Sequence, residues 1–389
     1  MEPHQKQFFK IIIGSQYFIY FGVLGIFLPY FNLYCFHLGF SGLQIGVLSA
    51  LRSVALVLFP LMWGTLADRL NIRRPIYIVC TIISTSIWVF YLYTSEFWPM
   101  LLITLFYGMF YAPIISFLEA FTMDVLGREK KSYGRIRAWG SISFITVVLV
   151  LGKVIDVFSV DVILVLILGG SILLAIGSFR MPALKPAKKA RTSPAAPSLL
   201  TRPAIVFLFC AFLMLVSHGA YYGFFSIHRA NMGYDSTFIG ICWALASTAE
   251  ILVMIRSETL FSRFSLENVL TFSFGAAAVR WLILFFATSP VVILCSQILH
   301  AVTYGAFHMT SILYIDRLAP QQSKTMGQAV NNAVTYGLGL MVGFFLNGYL
   351  YEIMGSFALF SISSLIAVGG GLMFKGLQMM ARSREASEV

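Results

Sequence analysis

Charge is what this 389-residue chain has least of. Asp, Glu, Lys and Arg make up 11% of it, while 59% is hydrophobic. A water-soluble domain carries roughly 25% charged residues, so a surface facing water throughout is excluded. Cysteine is scarce as well. The five cysteines (Cys35, Cys80, Cys210, Cys242 and Cys295) lie mostly inside apolar stretches and form no CxxC pair. That excludes a disulfide framework and leaves them as small buried apolar groups. HExxH, GxSxG and P-loop patterns are also missing, so nothing marks a membrane-embedded enzyme. A sensor or scaffold is expected to carry an appended soluble domain, and none is expected here beyond the linker and a short tail.

What is present is a succession of apolar runs, each near the roughly 20 residues a membrane helix needs. Only helices and closed barrels satisfy their backbone in lipid. A barrel would alternate apolar and polar residues over about 10 residues. Runs such as Val147 to Leu151 and Val162 to Leu168 are continuous instead, so the fold class is an all-α membrane protein. The pattern predicts twelve helices at about residues 8–36, 42–69, 75–95, 98–126, 134–155, 160–180, 203–229, 235–262, 266–287, 290–315, 323–350 and 354–380. The first run is too long for a signal-peptide core and is read as a membrane helix.

The net charge of +11 does not point to nucleic acid, because the positive residues fall in alternate loops. Arg69, Arg73 and Arg74 follow the second helix, and Arg128, Lys130 and Lys131 the fourth. Arg180, Lys185, Lys188, Lys189, Arg191 and Arg202 flank or fill the break after the sixth. Arg317 and Lys324 lie between the tenth and eleventh, and Arg382 and Arg384 in the tail. Lys153 and Arg229 are the main exceptions. The positive-inside rule then places both termini and the long break in the cytoplasm. The expected domains are residues 1–181, a flexible Pro-, Ala-, Ser- and Lys-rich linker at 182–202, residues 203–381 and a short tail at 382–389.

The two halves repeat each other. Gly39-Phe40-Ser41-Gly42-Leu43-Gln44-Ile45-Gly46 opens the second helix, and Gly233-Tyr234-Asp235-Ser236-Thr237-Phe238-Ile239-Gly240 opens the eighth. Tyr107-Gly108-Met109-Phe110 parallels Tyr304-Gly305-Ala306-Phe307. Two six-helix repeats with a central solute site form the layout of major facilitator transporters. Gly64-Thr65-Leu66-Ala67-Asp68-Arg69-Leu70-Asn71-Ile72-Arg73-Arg74 is similar to that superfamily's loop motif. There Gly64 is expected to allow close helix approach, and Asp68 to pair with Arg69 or Arg73 as a cytoplasmic gate.

An ionisable group inside a span costs at least about 2.5–3.5 kcal/mol at its centre, which makes it a functional candidate. Glu119 lies two turns before the end of the fourth helix and Arg137 one turn into the fifth. Antiparallel neighbours put them at similar depth, where a guanidinium fork can hold a carboxylate or a solute's polar groups. A structural ion pair is the alternative. Glu250 sits among small and apolar residues of the eighth helix, a setting that suits a proton carrier, with Arg280 as its counter-charge. His300 can relay protons, whereas His300 and His308 are about 12 Å apart along a helix and share no metal. His218 and His228 are weaker candidates. Gln328, Asn331 or Asn332, and Tyr336 fall near one face of the eleventh helix, where they line a polar cavity or bond between helices.

Tyr133-Gly134-Arg135-Ile136-Arg137-Ala138-Trp139-Gly140-Ser141, Leu118-Glu119-Ala120-Phe121, Val279-Arg280 and Leu299-His300 resemble the lactose-permease-like branch of the superfamily, and within it the phenylpropionate-permease group. The resemblance spans nearly the whole chain. It implies a solute-binding pair at Glu119 and Arg137 and proton coupling through Glu250, Arg280 and His300, with Glu250 the first choice of carrier and His300, His308 and Glu119 following. The branch's sugar-stacking Trp falls at Phe144, its proton-linked Glu at Thr303 and its Lys at Gln297, so sugar recognition is not carried over. The expected function is proton-coupled uptake of a small organic solute, such as an aromatic carboxylate, with no cofactor beyond the proton gradient. Phe144, Tyr221, Tyr222, Asn331 and Asn332 join the expected solute site. A sugar or nucleoside symporter, or an exporter, is the alternative. The chain is expected to act as a monomer in the cell inner membrane, with solute, protons and lipid as its partners.

Overall fold

The computed structural model describes residues 3–127, 129, 132–183 and 201–387. Most of the expected linker, together with Arg128, Lys130 and Lys131, lies outside them. Among the described residues ten helical segments are long and apolar enough to cross a membrane, and Val162–Ser178 is a shorter apolar helix. One of the ten, Met326–Met380, contains Gly355 at φ 72°, ψ 178°, where two helices meet in a kink. Counting those two separately and adding the shorter helix brings the total among the described residues to twelve. Large apolar side chains stay exposed around them, including Leu365 (70%) and Phe272 (67%). A surface of that kind belongs in hydrocarbon.

The elements are α1 (Pro3–His37), α2 (Gly42–Leu70), α3 (Arg73–Trp88), α4 (Phe97–Tyr111), α5 (Pro113–Leu126), α6 (Tyr133–Val157) and α7 (Val162–Ser178). They continue as α8 (Arg202–Asn231), α9 (Ser236–Ile255), α10 (Ser257–Arg263), α11 (Leu266–Phe286), α12 (Pro290–Ile298), α13 (Phe307–Leu318), α14 (Lys324–Asn331) and α15 (Leu340–Ser387). Several expected helices are divided. The fourth breaks at Pro113, whose ring cannot continue a hydrogen-bond ladder. The eighth breaks at Arg256 into α9 and α10. The tenth and eleventh each contain a π-helical stretch, Ala301–Ala306 and Asn332–Gly339. The expected tail is helical as far as Ser387.

The chain forms two compact units. Unit 1 holds residues 1–40, 54–191 and 233–244; unit 2 holds residues 41–53, 192–232 and 245–389. The core of unit 1 includes Tyr17, Tyr20, Tyr77, Phe117 and Phe121, all buried. In unit 2, Arg229 is fully buried and donates to the carbonyls of Leu284 and Ala287 at the end of α11. A cation suits that position because it meets carbonyls left unpaired by the helix.

Candidate functional site

In unit 1, α6 brings Arg137 against α1. The Arg137 guanidinium lies 3.8 Å from the centre of the Phe21 ring and 5.7 Å from that of Tyr17, a cation–π arrangement. Gly140, one turn on, makes room for it. A Cβ there would stand 2.5 Å from the Phe21 ring and 3.0 Å from Arg137 Nη1. Glu119 on α5 is exposed, and its carboxylate feels the Arg137 charge and the Tyr133 hydroxyl. No direct salt bridge joins Glu119 and Arg137 among the described residues, and the Tyr133 side chain interacts with both. Around it the aromatic rings continue: Tyr20 stacks on Tyr111 at 5.2 Å and Tyr111 on Tyr107 at 4.8 Å. Phe144 is only 8% exposed and packs on α1 at Gly25. It is a packed wall rather than an open stacking platform.

In unit 2, Arg280 on α11 is fully buried and its donors are occupied. Nε bonds the Ser296 carbonyl (3.1 Å), Nη1 bonds His300 Nδ1 (2.8 Å) and Thr303 Oγ1 (3.2 Å), and Nη2 bonds Gln297 Oε1 (3.1 Å). Its flat face lies 4.2 Å from the Tyr221 ring centre. An arginine only donates, so His300 Nδ1 accepts and its proton is assigned to Nε2. That nitrogen points the other way, toward Glu250 Oε2 at 3.7 Å and Tyr222 Oη at 3.4 Å. The imidazole thus connects the expected carrier to its counter-charge. Glu250 packs beside Gly305, whose Cβ would lie 3.1 Å from Glu250 Cγ. His300 stacks on Tyr304 at 5.2 Å and Tyr304 on His308 at 6.0 Å. His308 Nδ1 then meets Tyr336 Oη at 2.5 Å.

Some expected residues fall elsewhere. Tyr221 is fully buried and donates to Gln297 Oε1 (3.0 Å), so it cages Arg280 instead of offering a solute surface. Asn331 is fully buried, and its Oδ1 accepts from Ser311 and Thr335 (both 3.2 Å). It ties α13 to α14, and Asn332 beside it is exposed. His228 bonds Ser356 (2.8 Å) and is a packing residue. His218 bonds the Met214 carbonyl (2.8 Å) and packs edge-on to Trp281.

In the loop motif, Arg73 holds both Asp68 (3.2 Å) and Asp124 (2.5 Å), and Arg69 is exposed. Gly64 has nothing within 4 Å of a Cβ, so its expected close approach is absent. Residue type alone did not single out Asp124, Gly140, Tyr111, Gln297 or Thr303 as partners.

Residues 11–362 match the model of the MFS_1 like family. The chain therefore belongs to that family and is a multi-pass membrane transporter of the major facilitator superfamily, with a small molecule as its cargo. Over 367 residues it is 28% identical to the probable 3-phenylpropionic acid transporter of Escherichia coli (strain K12), covering 92% of this chain and 94% of that one. Over 390 residues it is 25% identical to the maltose permease of Geobacillus stearothermophilus, covering 97% and 96%. The crystal structure of the nucleoside transporter NupG superposes with a TM-score of 0.81 at 20% identity, covering 95% of this chain and 98% of the other, which shows the shared fold.

Proposed function

We propose that this transporter takes up a small aromatic carboxylate, of the phenylpropionate kind, together with protons, by alternating access. The observation that carries the reading is Arg137: a guanidinium held over the Phe21 ring, beside stacked tyrosines, with no salt bridge to Glu119. A carboxylate can take the guanidinium edge while the solute's ring lies along the aromatic wall. The phenylpropionic acid transporter among the relatives supports that substrate class. Glu250, His300 and Arg280 carry the coupling in this reading. Protonation of Glu250 removes its attraction for the His300 Nε2–H and loosens the chain that ends on Arg280. The orientation has both termini in the cytoplasm, in the cell inner membrane, and the carrier acts as a monomer.

A nucleoside is the second reading, favoured by the same stacked rings, which fit a base as well as a phenyl group. Uptake of labelled 3-phenylpropionate into membrane vesicles, with and without an imposed proton gradient, tests the first. Gradient-driven accumulation, blocked by excess phenylpropionate and not by nucleosides, is the expected result. Competition by nucleosides alone overturns it in favour of the second.

A further inference from the structure

Two widely separated stretches of the chain are built alike. α6 carries Gly152 and, one turn on, Asp156; α15 carries Gly348 and, one turn on, Glu352. Asp156 accepts from Ser236 N (2.8 Å), Thr237 N (2.9 Å) and Thr237 Oγ1 (2.5 Å). Glu352 accepts from Gly42 N and from Leu43 N (3.4 Å). The glycines close matching gaps. A Cβ on Gly152 would stand 2.5 Å from Ser236 O, and one on Gly348 2.6 Å from Gly42 O.

The helix starts they grip are also equivalent. Ser236 and Thr237 are the first two residues of α9, and Gly42 and Leu43 the first two of α2. Each start follows a glycine with φ 83° (Gly233 and Gly39). Each has a local cap on its third amide, from Asp235 Oδ1 to Phe238 N (2.8 Å) and from Ser41 Oγ to Gln44 N (3.2 Å). The first amides of a helix have no partner within it and carry partial positive charge. In both repeats the first two are met by a carboxylate from a distant helix. The grips fall within the two stretches, residues 233–244 and 41–53, that belong to unit 1 and unit 2 against their order in the sequence.

We propose that Gly152 with Asp156 and Gly348 with Glu352 are paired clasps that hold one state of the transport cycle and release together when the carrier turns over. The inference rests on the transport reading, since a carrier that alternates must break such grips once per cycle. Both carboxylates are exposed, so water screens them. That leaves each clasp strong enough to bias a state and weak enough to let go.

Cys242 reports on release. It is fully buried in α9 and lies near Tyr30, whose hydroxyl donates to Ser236 O (3.0 Å). In vesicles containing a chain with Cys242 as its only cysteine, the rate of alkylation by a small maleimide is measured for Asp156→Asn and for Glu352→Gln. Both are expected to speed it by roughly fivefold, the effect of losing one helix cap. Asp156→Glu is expected to restore much of the slow rate. The Glu352→Gln result is decisive, because Glu352 lies in the other clasp. A rise confined to Asp156→Asn overturns joint release, and no rise with either variant overturns the clasps altogether. Should Asp156→Asn not fold, Thr237→Val removes the hydroxyl donor alone and must act in the same direction. Alkylation needs no solute. Lost phenylpropionate uptake alongside the expected alkylation therefore removes the substrate reading and leaves the clasps standing.

Discussion

Each unit holds an arginine within a membrane helix, the fully buried Arg280 in unit 2 and the half-buried Arg137 in unit 1, and their surroundings differ. In unit 2 Arg280 spends its donors on Ser296, Gln297, His300 and Thr303. In unit 1 Arg137 rests on an aromatic face, and no salt bridge joins it to Glu119. A fully bonded cation of the first kind fixes its surroundings and transmits changes in its partners. One of the second kind is ready for an incoming acceptor. The residue type is the same in both, so only the neighbours distinguish the two settings.

The largest expected effect breaks that comparison directly. Arg137→Lys removes the fork while keeping the charge and should lower uptake of labelled phenylpropionate by about 100-fold, as expected from a lost bidentate bond of roughly 3 kcal/mol. Arg280→Lys should abolish accumulation but leave solute binding within about threefold, read as ligand-induced stabilisation. If Arg280→Lys loses binding and Arg137→Lys does not, the two roles are reversed.

Glu250→Gln tests the proposed proton-coupling role. Gradient-driven uptake should fall by more than about tenfold, whereas exchange of solute for solute should persist, because a neutral side chain mimics the protonated carrier. Loss of both would make Glu250 a binding residue.

A third comparison is between glycines. Gly140→Ala forces Phe21 and Arg137 apart and should raise KM by roughly tenfold, whereas Gly64→Ala meets nothing and should change transport by less than about twofold. Asn331→Ala should lower the melting temperature, at a cost of about 1–2 kcal/mol for lost buried hydrogen bonds, with KM unchanged.

The smallest effect concerns the start of α1. Lys6 and Lys10 each hold Glu129 at 2.8 Å and bring its carboxyl down to about 2 from 4.5. A carboxyl lowered on folding contributes stability at pH values above 4.5 and loses it as pH falls toward 2. The bridges should persist at pH 4, and carbon-13 NMR titration of the Glu129 carboxyl should find its midpoint near 2.

Much of the architecture was legible because a span of suitable length is a one-dimensional property of the chain. Glu119, Arg137, Glu250, Arg280 and His300 stood out as candidates for a related reason: an ionisable group in an apolar run is conspicuous. Other features had no such signal. Nothing in the sequence announces that Gly140 yields space to a guanidinium, or that Tyr221 cages an arginine instead of facing solute. The Asp156 and Glu352 grips span 80 and 310 residues, beyond any local pattern. The Gly39 and Gly233 repeat was visible, but what holds it was not.

The sequence by itself determined that this chain lives in a bilayer as twelve helices, because hydrocarbon rewards long apolar runs wherever they occur. Tertiary structure alone decided which partners each charge within the spans meets, and which carboxylate meets which helix end. Those outcomes depend on contacts through space, where an angstrom of approach between distant residues makes or loses a hydrogen bond.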